Sequence, residues 1–119
     1  LDYGYDVARK IGQLDIGQTV IVKDGAVIAL EAIEGTDACI ERAGALTKRS
    51  GAVAVKVAKP EQDMRFDVPA IGLTTIENLA KAGITVLGVE ANRTLFLEPQ
   101  KIIHRANELG ITIVGIHAG

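Results

Sequence analysis

Thr19-Val20-Ile21-Val22-Lys23-Asp24-Gly25-Ala26-Val27-Ile28-Ala29-Leu30-Glu31-Ala32 is the stretch that decides the fold. Two β-rich runs, residues 19–23 and 26–32, flank the dipeptide Asp24-Gly25. A tight two-residue turn between strands wants positive φ at both central positions, and Asp-Gly adopts that geometry at low cost. An early β-hairpin is expected here, so the sheet starts with an antiparallel element. Upstream, residues 3–14 carry apolar side chains at helical spacing, with Val7, Ile11 and Leu14 as the stripe. Gly4 and Gly12 interrupt that pattern.

Downstream the pattern changes. Ile33-Glu34-Gly35-Thr36-Asp37 reads as a strand-to-helix turn, with Thr36 or Asp37 as N-cap of a helix reaching about Lys48. Residues 52–58 form a second core strand. Thr74-Thr75-Ile76-Glu77 has the spacing of a capping box and starts a helix that ends near Ala82-Gly83. Residues 84–89 are a strand, and residues 94–97 a short strand or turn. Glu98-Pro99 opens a helix with proline in its first position, and Gly110 stops it. Residues 111–116 are a last apolar strand. Short apolar runs alternating with amphipathic helices define an α/β fold: a mostly parallel or mixed sheet flanked by helices, with the early hairpin at Asp24-Gly25.

The composition agrees. The chain has 119 residues, enough for one domain, and 48% are hydrophobic. Aromatics are only 3%, so the core is aliphatic. A formal net charge of −2 argues against nucleic acid as a partner. One cysteine, Cys39, excludes an internal disulfide; a lone thiol fits a reducing compartment, and its helical setting makes it core filler. No apolar run approaches the roughly 18 residues of a spanning helix. The first residue is Leu1 rather than Met, as expected of an excised piece.

In open α/β sheets, ligands sit beyond the carboxyl ends of the strands. Four segments are expected to gather on that rim: Glu34 to Asp37, Lys56 to Asp67, Glu90 to Arg93, and His117. Lys56 interrupts an apolar strand, so it reaches water or meets an anion. Lys59 is spaced to share a phosphate with it. In extended chain Asp63, Arg65 and Asp67 fall on one face. A guanidinium fork suits a phosphate, and flanking carboxylates suit Mg2+. The plainer reading of that row is a salt-bridge ladder on an exposed strand. Glu34-Gly35-Thr36-Asp37 offers helix-start amides to an anion, or is simply a capped helix. His104 reads as structural, on or near the apolar face of the last helix. Two histidines and one cysteine at these spacings make no zinc site.

The combination Glu31-Ala-Ile-Glu34-Gly-Thr-Asp37, Val55-Lys-Val-Ala-Lys-Pro60 and Gln62-Asp63-Met-Arg65-Phe-Asp67-Val-Pro69-Ala-Ile-Gly72 resembles the carboxyl-terminal domain of the UDP-2,3-diacylglucosamine pyrophosphatases of lipid A biosynthesis. These differ from the calcineurin-like enzymes for the same step, and the resemblance runs over essentially the whole chain. It implies hydrolysis of a lipid-linked UDP-sugar to UMP and 2,3-diacylglucosamine 1-phosphate. It also implies dependence on Mg2+ or another divalent cation, and cytoplasmic work near the inner membrane of Gram-negative bacteria. The family's Arg-x-Asp-x-Pro aspartate, tied to catalysis, falls on Asp67. Asp67 and Asp63 are then expected as metal ligands, with Asp67 serving as ligand or as base. Glu34, Gly35, Thr36, Asp37, Lys56, Lys59 and Arg65 are expected against substrate. The family's amino-terminal domain is missing, so residues 1–119 would be the carboxyl-terminal half of a two-domain enzyme, inactive alone. Two other readings stand beside this one. One is a non-catalytic nucleotide- or phosphate-binding module; the other is a structural or dimerisation domain that pairs as a homodimer.

Overall fold

The computed structural model describes residues 1–14, 17–48, 50–58, 70–91 and 93–117. The elements run α1 (Asp2–Gln13), β1 (Thr19–Lys23), β2 (Ala26–Leu30), α2 (Thr36–Leu46), β3 (Val53–Lys56) and β4 (Ala70–Ile71). After these come α3 (Leu73–Lys81), β5 (Val86–Glu90), β6 (Leu95–Phe96), α4 (Pro99–Leu109) and β7 (Thr112–Ile116). The expected hairpin forms: β1 and β2 pair antiparallel with Lys23 opposite Ala26, and Asp24 and Gly25 take φ of 52° and 76°.

The main sheet has the order β2-β1-β3-β5-β7. β1 is antiparallel to both of its neighbours, whereas β3, β5 and β7 are parallel. β2 therefore runs in the same sense as β3, and the carboxyl ends of β2, β3, β5 and β7 meet on one rim. Successive right-handed crossovers marching one way across a sheet put their helices on one face. α2, α3 and α4 do lie together there, over a core of Ile21, Ile40, Ala54, Ile76, Leu79, Leu87 and Ile102. Among the described helices, α1 alone covers the other face, packing Tyr5, Ala8 and Ile11 on Val20, Val22, Val55 and Val57.

Several local expectations need correction. Leu14 is not part of the α1 stripe; it is the exposed C-cap residue, and the helix buries Gly4, Tyr5, Ala8, Ile11 and Gly12 instead. Gly4 is there because the sheet lies too close for a side chain: a Cβ would stand 2.9 Å from a methyl of Val55. Neither Thr36 nor Asp37 caps α2, whose N-cap is Gly35 at φ 89°. The Thr74–Glu77 capping box does not form either, since α3 starts from Gly72. Its polar groups have better partners across the fold: Thr75 donates to Asp37, and Glu77 takes a two-pronged bond from Arg105 of α4 (2.5 and 3.1 Å). His104 is exposed on α4, 3.5 Å from Glu108, and not on the apolar face. Two expectations at α4 hold: Pro99 leads the helix and Gly110 ends it at φ 71°. Residues 94–97, expected as a short strand or turn, supply Leu95–Phe96, which forms a small separate parallel pair with Ala70–Ile71, a strand the sequence pattern does not announce.

Candidate functional site

Because β1 is antiparallel, its first residue lies on the same rim as the last residues of β2 and β3. Thr19 stands opposite Lys56, and its carbonyl accepts the N–H of Glu31 at 2.8 Å. Residues two apart on a strand share a face. Ala54 belongs to the core under α2, α3 and α4, so Lys56 rises on that same side. It arrives beside the beginnings of α2 and α3.

The groups there hold one another. Thr19 Oγ1 and Thr36 Oγ1 are 3.2 Å apart, and Thr36 Oγ1 also approaches Glu31 Oε1 at 3.5 Å. Glu31 Oε1 accepts the backbone N–H of Gln18 at 3.2 Å. Thr75 Oγ1, on α3, donates to Asp37 Oδ1, on α2, at 3.2 Å. Lys56 Nζ reaches the carbonyl of Ala70 at 3.5 Å. Burial pushes the Lys56 ammonium below the usual lysine range, while the carboxylates of Glu31 and Asp37 pull it back up. The result is a half-buried cation beside two carboxylates, with the Thr36 hydroxyl close to Glu31 and the Thr75 hydroxyl bonded to Asp37. No side chain caps the start of α2 or α3, and each begins after a glycine. Orphan amides and the positive helix ends therefore face the same rim as Lys56.

The candidates named from sequence divide into three groups. Gly35, Thr36, Asp37 and Lys56 come together on the rim. Glu34 sits next to them but turns its carboxylate outward. Arg42 donates to it at 2.5 Å and to Leu30 O at 2.9 Å, holding the Glu34 carboxyl below its ordinary range. Lys59, Asp63, Arg65 and Asp67 lie outside the described residues. Glu31 was not singled out in sequence, since it reads as the tail of a strand. Its signal was the acidic end it gives to an apolar run. Cys39 is core filler as expected; burial pushes its thiol up to about 11, which leaves it inert at neutral pH.

The rim continues on the α1 side. Glu90 ends β5, is only 4% exposed, and accepts the N–H of Ala58 at 2.8 Å. Its other oxygen lies 3.5 Å from the Tyr5 hydroxyl. Burial and the Glu90 carboxylate push the Tyr5 phenol above its usual range. Arg93 and His117 sit further along the same edge, His117 exposed.

The donor set around Lys56 consists of carboxylate and hydroxyl oxygens, the hard ligands that Mg2+ prefers to thiol or imidazole. Among the described residues, no three His, Cys, Asp or Glu side chains gather as a closed metal site. A cation bound on this rim would take its remaining ligands from substrate phosphate, water or residues beyond those described.

A mixed-sheet α/β domain with a cation flanked by carboxylates at its strand ends is the class that fold and rim define together. Within it, the chain belongs to the LpxI C-terminal domain family, whose model matches residues 1–114. It is 41% identical, over 124 aligned residues, to the UDP-2,3-diacylglucosamine pyrophosphatase LpxI of Caulobacter vibrioides. That match covers 98% of this chain and 44% of the relative, so the chain spans less than half the relative's length.

Proposed function

We propose that this chain is the carboxyl-terminal half of a two-domain, metal-dependent hydrolase. The whole enzyme would cleave the pyrophosphate of UDP-2,3-diacylglucosamine to UMP and 2,3-diacylglucosamine 1-phosphate, a step of lipid A biosynthesis. The observation that carries the reading is Lys56, half buried between Glu31 and Asp37 where two uncapped helices begin, in a chain of this family. A pyrophosphate diester brings concentrated negative charge, and such a rim answers it with an ammonium, amide donors and helix dipoles.

This chain's residues have separable roles in the proposal. Lys56, with Lys59 and Arg65, binds and orients the phosphoryl oxygens. The amides of Gly35, Thr36 and Asp37 take a further oxygen. Thr75 fixes the direction of Asp37, and the Gln18 amide fixes that of Glu31. Asp67 holds the metal with Asp63, or takes the proton of the attacking water. Mg2+, when bound, would draw charge from the phosphoryl oxygens and sharpen the water. The acyl chains of the substrate call for work at the cytoplasmic side of the inner membrane. Among the described residues, no helix is long and apolar enough to cross a membrane.

Asp67→Ala in the full-length enzyme tests the proposal. Hydrolysis is expected to disappear while circular dichroism and the melting curve stay as in the parent. A folded variant that still turns over substrate normally would contradict the role given to Asp67.

A further inference from the structure

We infer that Glu90 is a positioning residue for this site: its carboxylate fixes the backbone where β3 ends, at Ala58, two residues past Lys56. The inference rests on the functional reading above, because that reading puts Lys56 against the phosphoryl oxygens.

The geometry is specific. β3 and β5 pair in parallel up to Lys56 opposite Val89, and there the regular ladder stops. Val57 turns its N–H to Gln18 O on the β1 side, at 2.9 Å. Ala58 then has its N–H taken by Glu90 Oε1 at 2.8 Å, side chain to backbone across thirty-two positions of sequence. The carboxylate does the work of a strand partner just where strand pairing ends. A charge-assisted bond of this kind is roughly twice as strong as a neutral one. Leaving a buried N–H unpaired is costly, so the chain at Ala58 has a strong preference for this one path.

Glu90 is itself held at several points. Its Cα pairs with Ile116 of β7, its carbonyl accepts from Arg93 N at 3.3 Å and Thr94 Oγ1 at 3.1 Å, and Ala91 N donates to Ile116 O at 2.9 Å. The Tyr5 hydroxyl stands against the second oxygen from the α1 side. The carboxylate is a stiff arm reaching from the end of β5 to the exit of β3. It is buried and occupied, which separates it from the groups that face substrate.

Kinetics of the full-length enzyme with two substitutions test this. Glu90→Leu removes the acceptor. Its kcat should fall roughly 10- to 100-fold, the usual effect of misplacing reacting groups by about an ångström, while KM moves much less. Glu90→Gln keeps an oxygen to face Ala58 N–H and should recover most of the lost kcat. Equal losses in both variants, or parent kcat in a folded Glu90→Leu protein, would overturn the inference. Hydrogen exchange in the unmodified enzyme gives a measurement independent of whether Glu90→Leu folds. The Ala58 amide should be protected, and exchange at the rate of an unstructured peptide would overturn the assignment. If Asp67→Ala retains activity, the functional reading fails while Ala58 protection still reports on the bond. If Asp67→Ala is dead and Glu90→Leu is not, only the role of Glu90 fails.

Discussion

Lys56 carries the tension between stability and function in this fold. Burial disfavours its charged form more than Glu31 and Asp37 favour it, so the net effect is a lowered pKa. For a base, a folded pKa below the unfolded value costs stability. The cost is fully present below the folded pKa and disappears as pH rises toward the ordinary lysine value of 10.5. Lys56→Met keeps the aliphatic stem and removes the charge. It is expected to melt no lower than the parent at pH 7, with any advantage shrinking as pH approaches 10. Its kcat/KM in the full-length enzyme should fall about 10- to 100-fold, the scale of a lost charge-assisted contact of 1.5–3 kcal/mol. Matched thermal melts and steady-state kinetics check both halves. At this scale the sequence was partly readable. A single lysine between Ala52-Val53-Ala54-Val55 and Val57-Ala58 could be recognised as special. The outward turn of Glu34 toward Arg42, and the burial of Glu90 against Ala58, depend on contacts between distant segments and left no local trace.

Helix and strand placement follows from the two periodicities of the chain, and the packing between elements sets what each can tolerate. α2 and α3 touch through Gly44, where an added Cβ would stand 2.7 Å from Ala82 Cβ and 2.8 Å from its backbone Cα. In an exposed helix, Gly→Ala gains about 1 kcal/mol. Here backbone has to move, and overpacking of this sort costs about 1–3 kcal/mol. Gly44→Ala should therefore lower the denaturant midpoint; a raised midpoint would show that the two helices are not in close contact. Because α2 and α3 also present Asp37 and Thr75 to one another at the rim, the same variant should disturb the site. The hairpin, the proline start of α4 and its Gly110 stop were legible because turn chemistry is local. The two expected side-chain caps failed for different reasons: Thr36 and Asp37 have tertiary partners, whereas α3 starts after Gly72, which puts Thr74 inside the helix and leaves Glu77 to Arg105.

At the scale of the whole molecule, a single antiparallel strand organises the rim. β1 separates β2 from β3 and brings its own start, Thr19, between Glu31 and Lys56. The alternation of strands and helices made an α/β sheet readable, and the rule that ligands meet strand ends pointed to the edge where Lys56, Glu31 and Asp37 lie together. Strand order was not readable, and neither was the split of the rim into a Lys56 side under α2 and α3 and a Glu90 side under α1. The account stands or falls on whether that Lys56 side is where phosphate binds. Amide chemical-shift mapping of the full-length enzyme, titrated with inorganic pyrophosphate in the presence of Mg2+, tests this most directly. The account predicts the largest shifts at Gly35, Thr36, Asp37, Lys56 and Gly72. A silent rim, with shifts confined to the groove lined by Glu77, Lys101 and Arg105 between α3 and α4, would contradict it.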